Sequence, residues 1–284
     1  KANINNHCEI IHCEDSIKDE ESPLSAAKKG KITSMWQSIE SQISGKSQIT
    51  LSAGNTGALL ILSRLILNMI DGVEKPALAG LWPNKIGMNV VLDLGANIEC
   101  NDKNLIDFSY MGAALHKALY PEIEPKIALL NVGLEEIKGS EAIKKAYQQL
   151  KESKKNDFKF HGYIEGNHIM DGNVNVIVTD GFTGNIALKT AEGTANFITK
   201  YLKENLSKGL LNKVSLLFSY NVLKKFKEQL DPRKYNGAIL LGLSGPVVKS
   251  HGSTDSRGLA NSIKMCNKIV KGKLIEKIKK YLSN

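Results

Sequence analysis

Short apolar runs recur along this chain, and most end in a small cluster of glycine and polar residues. Val174, Val176, Ile177 and Val178 are apolar and β-branched, which suits a strand covered on both faces. Gly181-Phe182-Thr183-Gly184-Asn185 follows as a turn, and Thr190 to Leu206 reads as a long helix. The same order appears earlier. Ile49 to Ala53 is a predicted strand, Gly54-Asn55-Thr56-Gly57 a turn, and Ala58 to Ile70 a helix so apolar that it should be buried. Further strands are predicted over Asn89 to Gly95, Lys126 to Asn131, Phe158 to Ile164 and Gly237 to Leu243, with Ser244 to Ser253 as strand and loop. Cys8 to Cys13 reads as another strand. Further helices are predicted over Thr33 to Ile43, with Trp36, Ile39 and Ile43 on one face, and over Leu105 to Tyr120, where Pro121 stops it. Others follow Ser140 as N-cap, span Leu210 to Leu230, and run from Ser256 to Leu282. Strands alternating with helices imply right-handed crossovers and a mostly parallel sheet.

The two glycine turns share the pattern Gly-x-Thr-Gly, at 54–57 and 181–184. Glycine lets a backbone turn sharply and present its N–H groups, and the start of the next helix adds its dipole. Each turn therefore reads as an anion site, and the pair implies a substrate with more than one polar or phosphate-bearing part. The structural alternative is that the glycines only permit tight strand-to-helix connections. Neither turn is a dinucleotide fingerprint, and no phosphate-binding Gly-x4-Gly-Lys-Ser/Thr loop occurs.

Charge narrows the partners. The 284 residues carry a formal net charge of +9, which fits an acidic protein, an anionic membrane surface or a phosphorylated substrate. Aromatics are only 6% and do not interleave with a basic patch, which argues against nucleic acid. The Leu210–Leu230 segment is amphipathic, with Lys213, Lys224, Lys225 and Lys227 on its polar side. It reads as a surface helix, or as a contact face for a membrane or an acidic protein. Cysteines at 8, 13, 100 and 266 form no Cys-x-x-Cys, which points to a reducing compartment. His7-Cys8 and His12-Cys13 have the wrong spacing for one metal site, so no metal is expected. The apolar run from Ala58 is interrupted by Ser63 and Arg64 and cannot span a bilayer.

Several polar residues sit at strand ends, where open α/β sheets bind ligands. Asp93 lies within an apolar strand and is either a structural acid or a functional one. Asn131, Glu135 and Lys138 follow the next strand, Asp180 precedes the second glycine turn, and His251 lies in a polar loop beside Gly252. His251 is either a hydrogen-bonded structural group or an acid.

Five stretches in order carry a resemblance. Ser-Ala-Gly-Asn-Thr-Gly-Ala (52–58), Leu-Asp-Leu-Gly-Ala-Asn (92–97), Leu-Leu-Asn-Val-Gly-x-Glu (129–135), Val-Thr-Asp-Gly-Phe-Thr-Gly-Asn (178–185) and Val-Lys-Ser-His-Gly-Ser-x-Asp (248–255) together resemble the bacterial phosphate acyltransferases of the PlsX type. The resemblance covers nearly the whole chain. It implies a three-layer α/β/α fold, mostly parallel in its sheet, like the isocitrate and isopropylmalate dehydrogenases. It implies transfer of an acyl group from acyl-(acyl carrier protein) to inorganic phosphate, no cofactor, a homodimer, and a cytoplasmic enzyme loosely attached to the membrane. By the same resemblance Lys138 and Asn185 are the expected catalytic residues. Gly54, Asn55, Thr56, Gly57, Asp93, Asn97, Asn131, Glu135, Asp180, Gly181, Thr183, Gly184 and His251 are the expected substrate- and phosphate-binding residues. The expectation is one domain over residues 1–284 with a helical insertion at about 198–236. The family's opening Asp-Ala-Met-Gly-Gly-Asp does not occur here and the chain does not begin with Met, so the family's first strand and its glycines are expected either to lie outside this sequence or to be lost.

The chemistry agrees with the residues. Phosphate at neutral pH needs no strong base before it attacks; it needs positioning, relief of repulsion, and donors for the oxyanion that forms on the thioester carbonyl. Competing readings are a transacylase for short acyl-CoA thioesters, a metal- and nicotinamide-dependent decarboxylating dehydrogenase, and a non-catalytic scaffold at the membrane surface. The dehydrogenase would need clustered aspartates, and Asp93, Asp171 and Asp180 are scattered along the sequence.

Overall fold

The computed structural model describes residues 8–153, 157–206, 233 and 236–283. The predicted helix Leu210–Leu230, with its four lysines, and most of the 198–236 insertion lie outside these residues. The described elements are α1 (Pro23–Lys29), α2 (Ser34–Ile43), β1 (Thr50–Ser52), α3 (Thr56–Leu67), β2 (Ala77–Pro83), β3 (Met88–Leu92), α4 (Asp102–Leu119), β4 (Lys126–Leu130), α5 (Glu141–Glu152), β5 (Lys159–Ile164), β6 (Val176–Val178), α6 (Gly181–Leu206), β7 (Ala238–Leu241), β8 (Val247–Lys249), α7 (Ser256–Lys271) and α8 (Leu274–Ser283). The strands form one eight-stranded sheet in the order β1-β8-β7-β2-β3-β6-β4-β5.

Alternation along the strands builds three layers. On one face Val90, Leu92, Ile127, Leu129, Val176, Val178, Ile239 and Leu241 pack with α4 and with residues of α5, α7 and α8. On the other face Val91, Ala128, Leu130 and Ile177 meet Ala187, Leu188 and Ala191 of α6, while Leu240 and Val247 meet α1, α2 and α3. Helix α4 is buried along most of its length; its start is closed by a capping box between Asn101 and Asn104.

Four of the seven strand pairings are parallel and three antiparallel. The antiparallel ones all involve β2 or β7. Because β8 opposes β7, β7 opposes β2 and β2 opposes β3, strands β1 and β8 run against β3, β4, β5 and β6. Strand β2 has no counterpart in the sequence reading.

Other expectations change. Cys8–Cys13 is not a strand; only Asp15 makes an isolated bridge, to Thr33. Ile43 ends α2 on the exposed side, and Met35 joins Ile39 as its buried residues. Helix α3 is not buried all round, since Leu65 is exposed. The C-terminal helix is two helices, broken at Gly272 and Lys273, where Lys273 adopts φ 51° and Gly272 packs against the Ala118 backbone. No described helix is long and apolar enough to cross a membrane.

His116 of α4 is buried beside the Tyr120 ring, and its Nδ1 has no hydrogen-bond partner among the described residues. Burial, helped by the charge of Lys117, pushes its pKa from 6.5 down to about 4. The unfolded chain then binds this proton more tightly, so the stability that neutral His116 contributes is complete above about pH 6.5 and is lost as the pH falls toward 4. Between about pH 7 and pH 4, the unfolding free energy of His116→Leu should therefore fall by up to about 3 kcal/mol less than that of the unaltered chain in urea titrations. Parallel pH profiles would place the acid sensitivity in other groups.

Candidate active site

The site begins where β3 ends. Asp93 is fully buried. Its Oδ1 accepts the N–H groups of Leu78 (3.0 Å), Gly95 (3.2 Å) and Ala96 (3.0 Å), and its Oδ2 accepts the backbone N–H and side-chain amide of Asn97, both at 2.8 Å. Asn97 Nδ2 also donates to the Pro76 carbonyl at 2.6 Å. Burial pushes the Asp93 carboxyl above its ordinary range, and these donors pull it back. Asp93 and Asn97 thus fasten the exit of β3 to the start of β2. The exits of β3 and β6 are joined as well: Asp93 N–H donates to the Thr179 carbonyl at 2.9 Å, and Gly181 N–H to the Asn97 carbonyl at 2.8 Å.

Helix α6 begins at Gly181, inside the stretch predicted to be a turn. Neither Gly181 nor Gly184 has a positive φ. Their role is close approach. A Cβ on Gly181 would lie 2.8 Å from Asp93 Oδ2 and collide with the Asn97 carbonyl, and one on Gly184 would collide with the Asp93 carbonyl. The N–H groups here are also engaged within the chain. Thr183 N–H and Oγ1 donate to the Asp180 carboxylate at 2.7 and 2.9 Å, and Gly184 N–H to the Asp180 carbonyl. Asp180 is therefore the cap of α6.

One turn further on, Asn185 is exposed, and its amide makes no hydrogen bond among the described residues. It lies over Gly95, whose φ is +126°; a Cβ there would sit 2.9 Å from Asn185 Nδ2. Gly95, Asn97, Ile98, Gly181, Phe182, Asn185 and Ile186 line a cavity of about 250 Å³.

Strand β4 lies beside β6, with Leu129 opposite Val178, so its exit loop emerges next to Asp180. Asn131 is buried and shapes that loop, donating to the carbonyls of Gly133 (3.0 Å) and Lys138 (3.1 Å). Glu135 and Lys138 are exposed on it. A Cβ on Gly133 would meet the Glu135 carboxylate at 2.7 Å and the Lys138 stem at 3.2 Å, so both side chains gather over that glycine. Lys138 and Asn185 therefore rise from neighbouring strand exits on one rim of the sheet.

The other glycine turn lies on the opposite rim, because β1 and β8 run against β3, β4 and β6. The two glycine turns are thus also separated across the sheet, by β8, β7, β2 and β3. Here Asn55 caps α3 through Ala58 N–H at 2.9 Å and ties down residues 19–21, while Thr56 opens α3. Gly54 and Gly57 are held against Met35 and Pro23. His251 is exposed; its Nδ1 faces the Ser253 hydroxyl at 2.8 Å, and its N–H donates to Asn236. Lys249, which sequence reasoning passed over within its own motif, reaches the Ala53 and Ser250 carbonyls at 3.3 and 2.5 Å. Burial holds its ammonium below the ordinary lysine range.

The cysteine nearest the first rim is no nucleophile. Burial, then the charge of Asp93, pushes the Cys100 pKa to about 11, so it is a thiol at neutral pH. Among the described residues no three His, Cys, Asp or Glu side chains are grouped for a metal ion.

The knot around Asp93 predicts a stability contrast. Asp93→Asn turns an amide NH₂ toward N–H donors, and Gly184→Ala drives a methyl into the β3 exit. Each should lower the unfolding free energy by roughly 3 kcal/mol in urea. Asn185→Ala should stay within about 0.5 kcal/mol of the parent. A neutral Asp93→Asn would show that the knot does not hold the fold.

A model of the fatty acid synthesis protein family matches residues 1–277. The phosphate acyltransferase of Pelagibacter ubique (strain HTCC1062) is 62% identical over 271 residues, covering 95% of this chain and 81% of that protein. The one from Paramagnetospirillum magneticum (strain ATCC 700264 / AMB-1) is 44% identical over 273 residues, covering 96% and 78%. Among solved structures, a branched-chain phosphotransacylase from Enterococcus faecalis V583 aligns with a TM-score of 0.55 at 16% identity, covering 92% of this chain and 82% of its own. A putative 4-hydroxythreonine-4-phosphate dehydrogenase from Salmonella typhimurium aligns at 0.51 and 13%, covering 83% and 68%. These two likenesses show the fold: a three-layer α/β/α sheet shared by phosphotransacylases and a dehydrogenase. The chain belongs to the fatty acid synthesis protein family, as a phosphate acyltransferase of the PlsX type.

Proposed function

We propose that this phosphate acyltransferase takes its acyl group from acyl-(acyl carrier protein) and hands it to inorganic phosphate, giving acyl phosphate for phospholipid synthesis, at the rim where β3, β4 and β6 end. The observation that carries this reading is the Asn185 amide, exposed and without a hydrogen bond among the described residues, on the wall of a cavity at the exits of β3 and β6. A donor already satisfied by the protein would have nothing left for a developing charge.

In the proposed step a phosphate oxygen attacks the thioester carbonyl. The carbonyl oxygen becomes an oxyanion and accepts a hydrogen bond from Asn185 Nδ2. Lys138 offsets the repulsion between phosphate and this oxyanion. The tetrahedral intermediate collapses, the carbon–sulfur bond breaks, and carrier thiolate and acyl phosphate separate. Attack is direct, which suits a chain whose neighbouring Cys100 stays a thiol.

The carrier donor draws support from charge: a net +9 favours an acidic partner. A homodimer draws support from two features. The outer part of α6 exposes Phe197, Ile198, Tyr201 and Leu202, and the turn with Gly54, Asn55, Thr56, Gly57 and His251 stands on the opposite rim from Asn185, to which a second copy could supply it. In that arrangement the 54–57 turn, with Lys249, serves phosphate or the carrier's phosphorylated arm. Cytoplasmic residence with loose membrane contact rests on the amphipathic, lysine-rich sequence of 210–230.

The test is thiol release from palmitoyl-carrier protein with and without phosphate. Release should require phosphate and yield an acid-labile acyl phosphate. Lys138→Ala and Asn185→Ala should each lower kcat by about 10²–10³-fold. Phosphate-independent release would point instead to a thioesterase, and activity unchanged in both variants would remove the reaction centre from this rim.

A further inference from the structure

The cavity beside Asn185 has two kinds of wall. Gly95, Asn97 and Asn185 offer polar groups and backbone; Ile98, Phe182 and Ile186 offer large apolar side chains. These three are 77%, 59% and 51% exposed. They do not serve the core. The inward face of α6 packs on the sheet through Ala187, Leu188 and Ala191, whereas Phe182 and Ile186 sit one turn apart on its outward side. Ile98 meets them from the β3 exit turn. The close approach that Gly181 and Gly184 permit sets the start of α6 against Asp93 and Asn97, the residue before Ile98.

Apolar side chains left open around a cavity that also holds an unbonded polar donor mark a ligand with a polar head and an apolar body. The hollow, about 250 Å³, is smaller than the clefts of about 300–1,000 Å³ that enclose a whole drug-sized ligand. It has room for only part of a long chain. We propose that Ile98, Phe182 and Ile186 form the seat for the carbonyl-proximal carbons of the acyl group, with Phe182 the residue that sets chain-length specificity. This rests on the proposed reaction centre at Asn185. With the thioester carbonyl at Asn185 Nδ2, the first carbons run along the Phe182–Ile186 side of α6, and the distal chain leaves the hollow.

A seat of this kind reads chain length only while carbons still enter it. Each methylene it buries should raise kcat/KM by about fourfold, and further carbons should add little. The experiment compares acetyl-, butyryl-, octanoyl- and palmitoyl-carrier protein as donors, with calorimetric binding of each measured alongside turnover. In Phe182→Ala the octanoyl-to-acetyl ratio of kcat/KM should fall about tenfold through KM, and Phe182→Leu should restore most of it. An unchanged ratio would overturn the seat, as would an equal loss on every donor, which would make Phe182 a support for Asn185. A change confined to sedimentation would also overturn it, making Phe182 a contact for a second copy. Failure of the reaction-centre reading looks different: the unaltered enzyme would form no acyl phosphate. The seat would then stand or fall on whether donor binding tightens with chain length and Phe182→Ala abolishes that trend.

Discussion

One buried carboxylate holds the functional rim together. Asp93 gathers five N–H donors from Leu78, Gly95, Ala96 and Asn97, and so fixes the exit of β3 against the entry of β2. A buried acid in an apolar strand is costly unless it is bonded in this way. Once fixed, the turn presents the Asn97 carbonyl to Gly181 N–H, and the first turn of α6 settles onto it. The positions of Phe182 and Asn185 follow from that seating. Asp93 and Asn97 thus shape the candidate site by fastening its backbone, while Asn185 and Lys138 remain exposed at the strand exits.

Strand direction divides the rest of the chemistry. Gly-x-Thr-Gly occurs at both 54–57 and 181–184, yet the first turn ends β1 and the second follows β6, which run in opposite senses. At the first, glycine makes room for Met35 and Pro23; at the second, for the β3 exit itself. Similar sequence therefore supplies similar local packing at two separated places. The polar groups around each differ, with Lys249 and His251 near one and Asn185 and Asp180 near the other.

Much of the fold was legible because periodicity is local. Strands β3, β4 and β6 are runs of Val, Ile and Leu, and α4 and α5 carry their own caps in Asn101 and Ser140. Strand β2 was not legible. Its sequence, Ala-Leu-Ala-Gly-Leu-Trp-Pro, has no β-branched residue and contains glycine and proline, and it becomes a strand by lying between β7 and β3. The start of α6 was hidden for a related reason: glycines that signal a turn in sequence here serve contact with another element. The break between α7 and α8 depends on Gly272 touching Ala118, a contact between distant segments. The candidate site residues were visible as motifs in the sequence. Their partition between two rims was not, since it rests on three antiparallel pairings that involve the unrecognised strand or its neighbour β7.

The pairing of β2 with β7 has a consequence for how the chain could be rebuilt. Ala77 lies opposite Leu241 and Gly80 opposite Ala238. The chain therefore leaves this part of the sheet at β2 and returns to it at the adjacent β7, so the segment between them is a cassette with its two ends side by side. Such a cassette can be exchanged between relatives through two nearby junctions without rethreading the backbone. The seams to be matched are the pairing of β3 with β2, including the Asp93 bond to Leu78, and the packing of α4, inside the cassette, against the C-terminal helix α8, outside it.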